Sequence, residues 1–292
     1  MGYGAVCGSI TLKPSAARRL DMQTVCVIGE GSQSVVDRLT ARLATTRKGH
    51  VATVDCTAES VSAASTDTDT TVDGRFELTD EGEWHGHGTH RSPMELLDSL
   101  APDYEYAVVD GLRHHRLPTV VVGDAEPAPS VPVVATAPTP AALDVDTIVD
   151  RVDEFEPHIT LETLIERAKA SPKADRSGAI ATFTGRVRAK DSPKDARTEH
   201  LSFEKYEGVA EKRLKTISKE LTDREGVFEV LMHHRVGLME DGEDIVFVVV
   251  LAGHREEAFR TVEDGINRLK DEVPIFKKET TTDDKFWLHE QS

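Results

Sequence analysis

A short apolar strand, a glycine-rich loop, a helix and a second strand follow one another near the amino terminus. The first strand pattern covers Thr24 to Ile28, the helical pattern Val35 to Thr46, and the second strand Val51 to Asp55. Two strands joined through a helix run in the same direction, because the crossover returns the chain to the same end of the sheet. This βαβ unit predicts a parallel pair, and therefore an α/β fold with helices against a sheet.

The remainder of the first half alternates between regular and irregular patterns. Residues 57–92 are poor in apolar side chains and predict a long loop. Beyond them we expect a helix over Pro93–Leu100 and strands over Tyr106–Asp110, Thr119–Val122 and Val131–Ala135. Five of the thirteen prolines then fall within residues 125–140, which marks the end of a first domain.

The second half has a different pattern, in which hairpin-like strands are mixed with helices. Helices are expected over 141–155, 161–170, 209–224 and 255–271, and strands over 178–186, 198–206, 227–236 and 244–251. This mixture predicts an α+β domain. We divide the chain into a tail (1–21), either disordered or an over-extended start, a first domain (22–140), a linker helix (141–157) and a second domain (158–292).

Acidic residues outnumber basic ones, with 52 Asp+Glu against 35 Lys+Arg and a formal net charge of −17. This charge repels phosphate backbones, so nucleic-acid binding is not expected. Only Lys13 and Lys48 of the 14 lysines precede residue 151, and such an acidic, lysine-poor composition suggests a salt-adapted protein. The longest apolar run, Ile245 to Ala252, is too short to span a bilayer, and no secretory signal is recognisable. We expect a cytoplasmic protein without a membrane partner.

The glycine loop after the first strand resembles a phosphate-binding loop that lacks essential parts. A P-loop follows the pattern G-x-x-x-x-G-K-[ST], in which backbone N–H groups and the lysine bind phosphate and the hydroxyl binds Mg²⁺. Gly29 begins the pattern, but Ser-Val-Val at 34–36 replaces the second glycine, the lysine and the hydroxyl. NTP hydrolysis is therefore not expected. The loop is either structural or a weak nucleotide site formed by Gly29, Gly31 and Ser32 at the helix amino terminus.

Two segments of the first half imitate metal sites without completing them. Asp69, Thr71, Asp73, Gly74 and Asp80 follow an EF-hand spacing, but Thr at the third position and Asp at the twelfth are poor ligands there. The histidines of HGHGTH, at positions 85, 87 and 90, lack a fourth ligand. Three scattered cysteines form neither a zinc motif nor a disulfide framework. No bound metal is predicted.

Several cations of the second half lie directly beside apolar strands or helix ends. They occur in four segments that follow in order, FTGRVR (183–188), HHRVG (233–237), GHREEAF (253–259) and LKDEVPIFKKE (269–279). Taken one at a time, such residues are explained as helix-end charges or as long side chains lying along apolar surface. Taken together, they resemble the large, catalytic subunit of molybdopterin synthase over about residues 158–290.

This resemblance implies a sulfur transfer in molybdenum cofactor biosynthesis. The family takes sulfur from the thiocarboxylated carboxyl-terminal Gly-Gly tail of a small ubiquitin-like carrier. It adds the sulfur to cyclic pyranopterin monophosphate, which gives the dithiolene of the product, molybdopterin, and no cofactor is required. Arg and Lys suit two anionic reactants, and a lysine crowded by cations can exchange a proton near neutrality. The residues that match the family's site are Lys270 and Lys277 as catalytic groups, and Arg188, Phe183, His254 and Arg255 as substrate-binding groups.

The first half carries a second resemblance. The segment DYEYAVVDGLRHHRLP (103–118), together with the βαβ unit, is similar to the molybdopterin-guanine dinucleotide biosynthesis adaptor family. The similarity covers about residues 22–135 and implies a P-loop-like α/β domain, although the missing lysine argues against GTP binding. For the second domain, the synthase resemblance implies a hammerhead-like α+β fold.

The separation of two candidate groups makes a prediction that does not depend on either resemblance. If residues 255–271 form one helix, a rise of about 1.5 Å per residue places Arg255 roughly 22 Å from Lys270. Either the helix is broken, or the site joins His254 and Arg255 of one subunit to Lys270 of another. We expect the second arrangement, a homodimer. With the carrier that the synthase resemblance implies, this homodimer would form a heterotetramer. A non-catalytic scaffold for carrier and pterin, and a generic phosphate-binding transferase, are the alternative functions.

Overall fold

The computed structural model describes residues 21–47, 49–57, 74–80, 84–88, 91–190, 192, 196–206, 208–281 and 285–288, so the predicted tail lies outside it apart from Asp21. Its helices are α1 (Ser32–Thr46), α2 (Pro93–Leu100), α3 (Val145–Arg151), α4 (Leu161–Lys169), α5 (Val209–Thr222) and α6 (Arg255–Glu272). Its strands are β1 (Gln23–Gly29), β2 (Val51–Asp55), β3 (Gly74–Leu78), β4 (Trp84–Gly88), β5 (Tyr106–Asp110), β6 (Thr119–Val122), β7 (Val133–Ala137), β8 (Ala179–Arg186), β9 (Thr198–Lys205), β10 (Val227–His234), β11 (Gly237–Glu240), β12 (Asp244–Ala252), β13 (Ile275–Thr281) and β14 (Lys285–Leu288).

A parallel sheet of five strands, in the order β2-β5-β1-β6-β7, forms the first half. β1 and β2 are parallel, as predicted, but the prediction that they pair with each other is wrong, because β5 lies between them. β5 is buried along its whole length and suits a position with a strand on each side. α1 and α3 pack on one face of the sheet and α2 on the other, so the expected α/β architecture is present.

The long loop expected over residues 57–92 contains a hairpin of β3 and β4, so that prediction is wrong in part. The two strands are antiparallel, with Gly74 opposite Gly88 and Phe76 opposite Gly86. The sequence RFEL at 75–78 alternates polar and apolar residues, which is the period of a strand. The low apolar content of the surrounding segment concealed this short pattern.

Two further boundaries in the first half differ from the prediction. The strand expected at 131–135 runs over Val133–Ala137, two residues later. The helix expected over 141–155 is divided into a 3₁₀ turn at Pro140–Ala142, α3, and a second 3₁₀ turn. The division follows from Asp144, whose carboxylate accepts hydrogen bonds from two backbone N–H groups and begins α3 as its N-cap.

Two antiparallel sheets form the second half, in the orders β10-β12-β8 and β11-β9-β13-β14. α5 and α6 cover one face of the first sheet and α4 the other, in agreement with the expected mixture of helices and hairpins. The strand predicted over 227–236 ends at His234, and the chain enters the second sheet as β11. Gly237 allows this change of direction, because its φ of +100° lies in the left-handed region that favours glycine.

A partly buried polar cluster joins the two halves. Asp98 of α2 accepts a hydrogen bond from Arg235 Nη2 at 2.6 Å, and its Oδ1 lies 2.7 Å from His158 Nε2. Arg235 is 8% exposed and its guanidinium lies over the Phe247 ring. Burial would raise the pKa of the Asp98 carboxyl, but the His158 hydrogen bond and the Arg235 charge lower it below its ordinary value.

In the part of the chain described, no helix has the length and apolar character needed to cross a bilayer.

Candidate active site

A cavity of about 710 Å³ lies where the end of α6 meets β13, beside β8, β9 and β10. Apolar side chains of the two sheets form much of its lining, and charged groups project from the chain around them. Of the predicted site residues, those that line this cavity are Phe183, Arg188, Lys270 and Lys277.

A sharp reversal of the chain brings the two lysines together. The apolar face of α6 packs on the β10-β12-β8 sheet, which leaves Lys270 in the last turn of the helix with an exposed side chain. The helix ends at Glu272, and Pro274 follows because a proline cannot continue a helix. β13 begins at once and places Lys277, seven residues after Lys270, on the same cavity.

Glu279 is a neighbour of Lys277 that sequence reasoning missed. Successive residues of a strand point to opposite faces, so residues 277 and 279 share the cavity side of β13. Lys277 Nζ lies 3.8 Å from Glu279 Oε2, and Glu279 Oε1 accepts a hydrogen bond from Thr198 at 2.5 Å. The acid is therefore held in place beside the lysine. The spacing of two residues within a strand was the signal that could have found it.

β8 and the residues directly after it supply an aromatic ring and two guanidinium groups of the cavity. Phe183 is half-buried and Arg188 is exposed. Arg186 also lines the cavity, but its Nε donates to the Gly242 carbonyl at 3.0 Å and lies 3.2 Å from Asp244. Arg186 thus fixes the turn before β12, whereas Arg188 lies beyond the end of the strand.

His234 is a second lining residue to which the sequence assigned no role. It is 8% exposed, and its ring meets Phe203 edge-on with centroids 5.1 Å apart. Nδ1 lies 2.6 Å from the carbonyl oxygen of Arg235. Burial lowers the pKa of His234 to about 4; the hydrogen bond to Arg235 opposes this effect and the charge of Lys205 adds to it. The imidazole is neutral near pH 7.

His254 and Arg255 are not brought to this cavity. His254 is the N-cap of α6 and Arg255 its first residue, and both side chains are exposed. α6 is one unbroken helix from Arg255 to Glu272, so about 22 Å of helix separates Arg255 from Lys270. Within one chain the predicted cationic set is therefore divided between the two ends of α6.

Known proteins resemble both the second half and the chain as a whole. The MoaE protein family matches residues 156–272. A protein of Haloferax volcanii named probable molybdopterin synthase is 53% identical over 272 residues, which is 92% of this chain and 100% of the relative. The chain belongs to the molybdopterin synthase family. It therefore acts in molybdenum cofactor biosynthesis, and a Haloferax relative agrees with the salt-adapted composition.

Shorter members of the synthase family match the second half. The molybdopterin synthase catalytic subunit of Pyrococcus abyssi is 36% identical over 124 residues, 42% of this chain and 82% of the relative. The solved structure of molybdopterin synthase from Staphylococcus aureus is 32% identical and covers 45% of this chain and 91% of its own, with a TM-score of 0.40. The family match and the Pyrococcus relative confirm the resemblance of the second half to the synthase catalytic subunit.

The predicted nucleotide loop of this synthase-family chain is tightly packed against its neighbours. Gly29 ends β1 with φ +118°, and Gly31 is the left-handed N-cap of α1. A Cβ on Gly31 would lie 2.7 Å from the Pro140 ring, so that ring packs closely against Gly31. Ser32 hydrogen-bonds the buried Asp110, and burial raises the pKa of the Asp110 carboxyl despite this bond. Weak anion binding at this loop stays a prediction.

The predictions about metal binding concern several residues that lie outside the described ones. Among the described residues, no group of three His, Cys, Asp or Glu side chains is placed to hold a metal ion. Positions 85 and 87 belong to β4. Positions 69, 71, 73 and 90 lie outside the described residues.

Proposed function

We propose that this chain is the catalytic subunit of a molybdopterin synthase, a sulfurtransferase that moves sulfur from a thiocarboxylated carrier to cyclic pyranopterin monophosphate. The observation that carries the proposal is the meeting of Phe183, Arg188, Lys270 and Lys277 on one cavity, from separate segments of the sequence. The names of the relatives favour this function over a non-catalytic scaffold or a generic phosphate-binding transferase.

The charges of the cavity suit two anionic reactants. Arg188 and the lysines can hold the cyclic phosphate and the thiocarboxylate. Each transfer forms a carbon–sulfur bond to the pterin side chain in place of a carbon–oxygen bond, whose oxygen leaves as water or stays on the opened phosphate ester. Water then breaks the acyl–sulfur bond of the carrier, whose tail leaves as a carboxylate. Lys270, an exposed residue that lines the cavity, moves the protons. Lys277, positioned beside Glu279, stabilises the developing oxyanion.

His254 and Arg255 complete the proposed site from a second subunit. The alternative, a break in the helix, is not available, because α6 is continuous. A homodimer can place the amino-terminal end of one α6 near the carboxyl-terminal end of the other. With the small ubiquitin-like carrier bound to each subunit, the assembly is a heterotetramer. A monomer with full activity would contradict this part of the proposal.

For the first half we propose an adaptor-like domain with a P-loop fold. Its support is the parallel sheet and the β1–loop–α1 unit. The Pro140 ring against Gly31, and the bond of Ser32 to Asp110, favour weak anion binding or a structural role over GTP hydrolysis. Fusion to the synthase would join dithiolene formation to a later nucleotide-attachment step of the same pathway.

Reconstitution tests the sulfur transfer. The purified chain, a thiocarboxylated carrier and cyclic pyranopterin monophosphate are combined without oxygen, and molybdopterin is measured over time. Lys270→Ala should lower turnover about 100-fold or more, because the proton-transfer group is lost. Lys278→Ala is the matched control, since Lys278 is next to Lys277 on β13 but does not line the cavity. Equal turnover of Lys270→Ala and the wild type would remove the catalytic assignment.

A further inference from the structure

The cavity holds an imidazole to which the proposed sulfur transfer gives no task. His234 closes β10 and is almost fully buried against the ring of Phe203. Edge-on packing of this kind restricts the plane of the ring. The hydrogen-bonding direction of His234 is therefore set before any ligand enters the cavity.

The tautomer of His234 follows from its contact with the backbone. A carbonyl oxygen accepts hydrogen bonds and cannot donate them, so the 2.6 Å contact of Nδ1 with the Arg235 oxygen places the proton on Nδ1. In the neutral ring Nε2 is then a bare acceptor. Within the described ranges, no residue donates a hydrogen bond to Nε2. Its lone pair is available to a ligand.

This acceptor differs from the other polar groups of the cavity. The lysine and arginine side chains carry only donors. Glu279 is held by Thr198 and lies beside Lys277. Glu272 accepts from Arg268 Nε at 2.6 Å, and Asp271, the remaining carboxylate of the lining, is exposed and negatively charged. A neutral acceptor among cations does not strengthen the binding of a phosphate or a thiocarboxylate, because both anions present oxygen or sulfur acceptors and have no donor for it.

We propose that His234 recognises the pterin ring of the substrate by accepting, at Nε2, a hydrogen bond from a ring or amino N–H group. This inference rests on the proposed function and adds a residue that distinguishes the pterin from other phosphate anions. The cations bind the charge that all such anions share, and the imidazole pairs with a donor that only the heterocycle carries. Without the His234 acceptor, the N–H group of a bound pterin would stay buried without a hydrogen bond. Removal of His234 should therefore weaken the binding of pterin and not of phosphate.

The test measures binding rather than turnover. Cyclic pyranopterin monophosphate is titrated calorimetrically into the full chain without carrier and without oxygen, and inorganic phosphate is titrated in parallel. His234→Phe keeps an aromatic ring against Phe203 and removes the acceptor, so pterin affinity should fall about tenfold, the value of one hydrogen bond, with phosphate affinity unchanged. His234→Gln retains an acceptor and should lose less. His233→Phe is the matched control, since His233 stacks on Phe247 and does not line this cavity.

Several outcomes would overturn the assignment. Equal pterin affinity of His234→Phe and the wild type would do so, and so would an equal loss for pterin and phosphate, which would indicate general damage to the cavity. If His234→Phe does not fold, the ¹⁵N resonance of His234 Nε2 in the wild type decides. A shift on addition of pterin but not of phosphate supports the proposal, and no shift overturns it. A wild type that binds pterin through His234 yet transfers no sulfur would overturn the proposed function alone.

Discussion

The replacement of Asp98 by alanine tests whether the polar cluster between the two halves stabilises the whole chain. Asp98 Oδ1 accepts from Arg235 Nη2 at 2.6 Å and lies 2.7 Å from His158 Nε2. Without the carboxylate, the Arg235 guanidinium stays buried and keeps the Ile159 carbonyl, at 3.1 Å, as its main hydrogen-bond acceptor. The variant therefore leaves a cation without its counter-ion at the contact between the halves.

The expected loss follows from the exposure of the pair. Removal of one partner of a buried ion pair costs about 3–5 kcal/mol. The Asp98 side chain is 34% exposed, so water can enter the space it leaves and partly hydrate the guanidinium. We expect the lower end of that range, about 3 kcal/mol of the free energy of unfolding. Asp98→Asn keeps an acceptor and should cost less, and Arg235→Met in the Asp98→Ala background should recover much of the loss.

Urea unfolding measures this loss. Asp103→Ala is the matched control, because Asp103 lies shortly after the end of α2 with an exposed side chain and carries the same charge. It should change the free energy of unfolding by less than about 0.5 kcal/mol. An Asp98→Ala midpoint equal to that of Asp103→Ala would refute the role of the cluster. Two separate transitions in Asp98→Ala would show that the carboxylate couples the halves.

Acid should destabilise the fold, because the pKa of His234 is about 4 in the folded chain and 6.5 ordinarily. As the pH falls from 7 to 5, the unfolded chain binds the proton before the folded chain does. The free energy of unfolding should therefore fall by about 2 kcal/mol over this range. Urea titrations at both pH values check this, and His234→Phe should remove that share of the pH dependence. Gly29→Ala should lower stability by about 2–3 kcal/mol, seen in thermal unfolding, because φ is +118° and a Cβ would collide with the Val122 carbonyl. Lys270→Ala and His254→Ala subunits, mixed and reassembled, should regain about one quarter of wild-type turnover, since half of the dimers are mixed and each of those keeps one intact site; no recovery would contradict a shared site.

The elements predicted most accurately have strong local signals. β2, β5, β6 and α2 begin and end at the predicted residues. The strands are short β-branched or apolar runs between polar residues. α2 begins at Ser92 with a capping box to Glu95 and a proline in its first turn, a combination that the sequence displays directly. Information of this kind is contained within a few residues.

The order of strands and the full lining of the cavity depend on contacts between distant segments. The hydrophobic pattern of β5 does not predict its position between β1 and β2, because a strand buried on both faces has the same pattern at several positions in a sheet. The synthase resemblance places Lys270 and Lys277 in one site, and the reversal at Pro274 that brings them to one cavity is local. Glu279 shares the cavity side of β13 with Lys277 through a two-residue spacing that the sequence contains. His234 reaches the cavity through the pairing of β10 with β12, which the sequence of β10 alone does not indicate.

The end of β10 serves both the cavity and the contact between the two halves. His233 and Arg235 border the polar contact with the first half, whereas His234, between them, lines the cavity, as the alternation of a strand requires. The Arg235 carbonyl fixes the tautomer of His234, and the Arg235 guanidinium is held by Asp98. A shift of the Arg235 backbone would therefore alter both contacts together. The described residues that line the cavity all belong to the second half. The first half nevertheless influences the geometry of the cavity through Arg235.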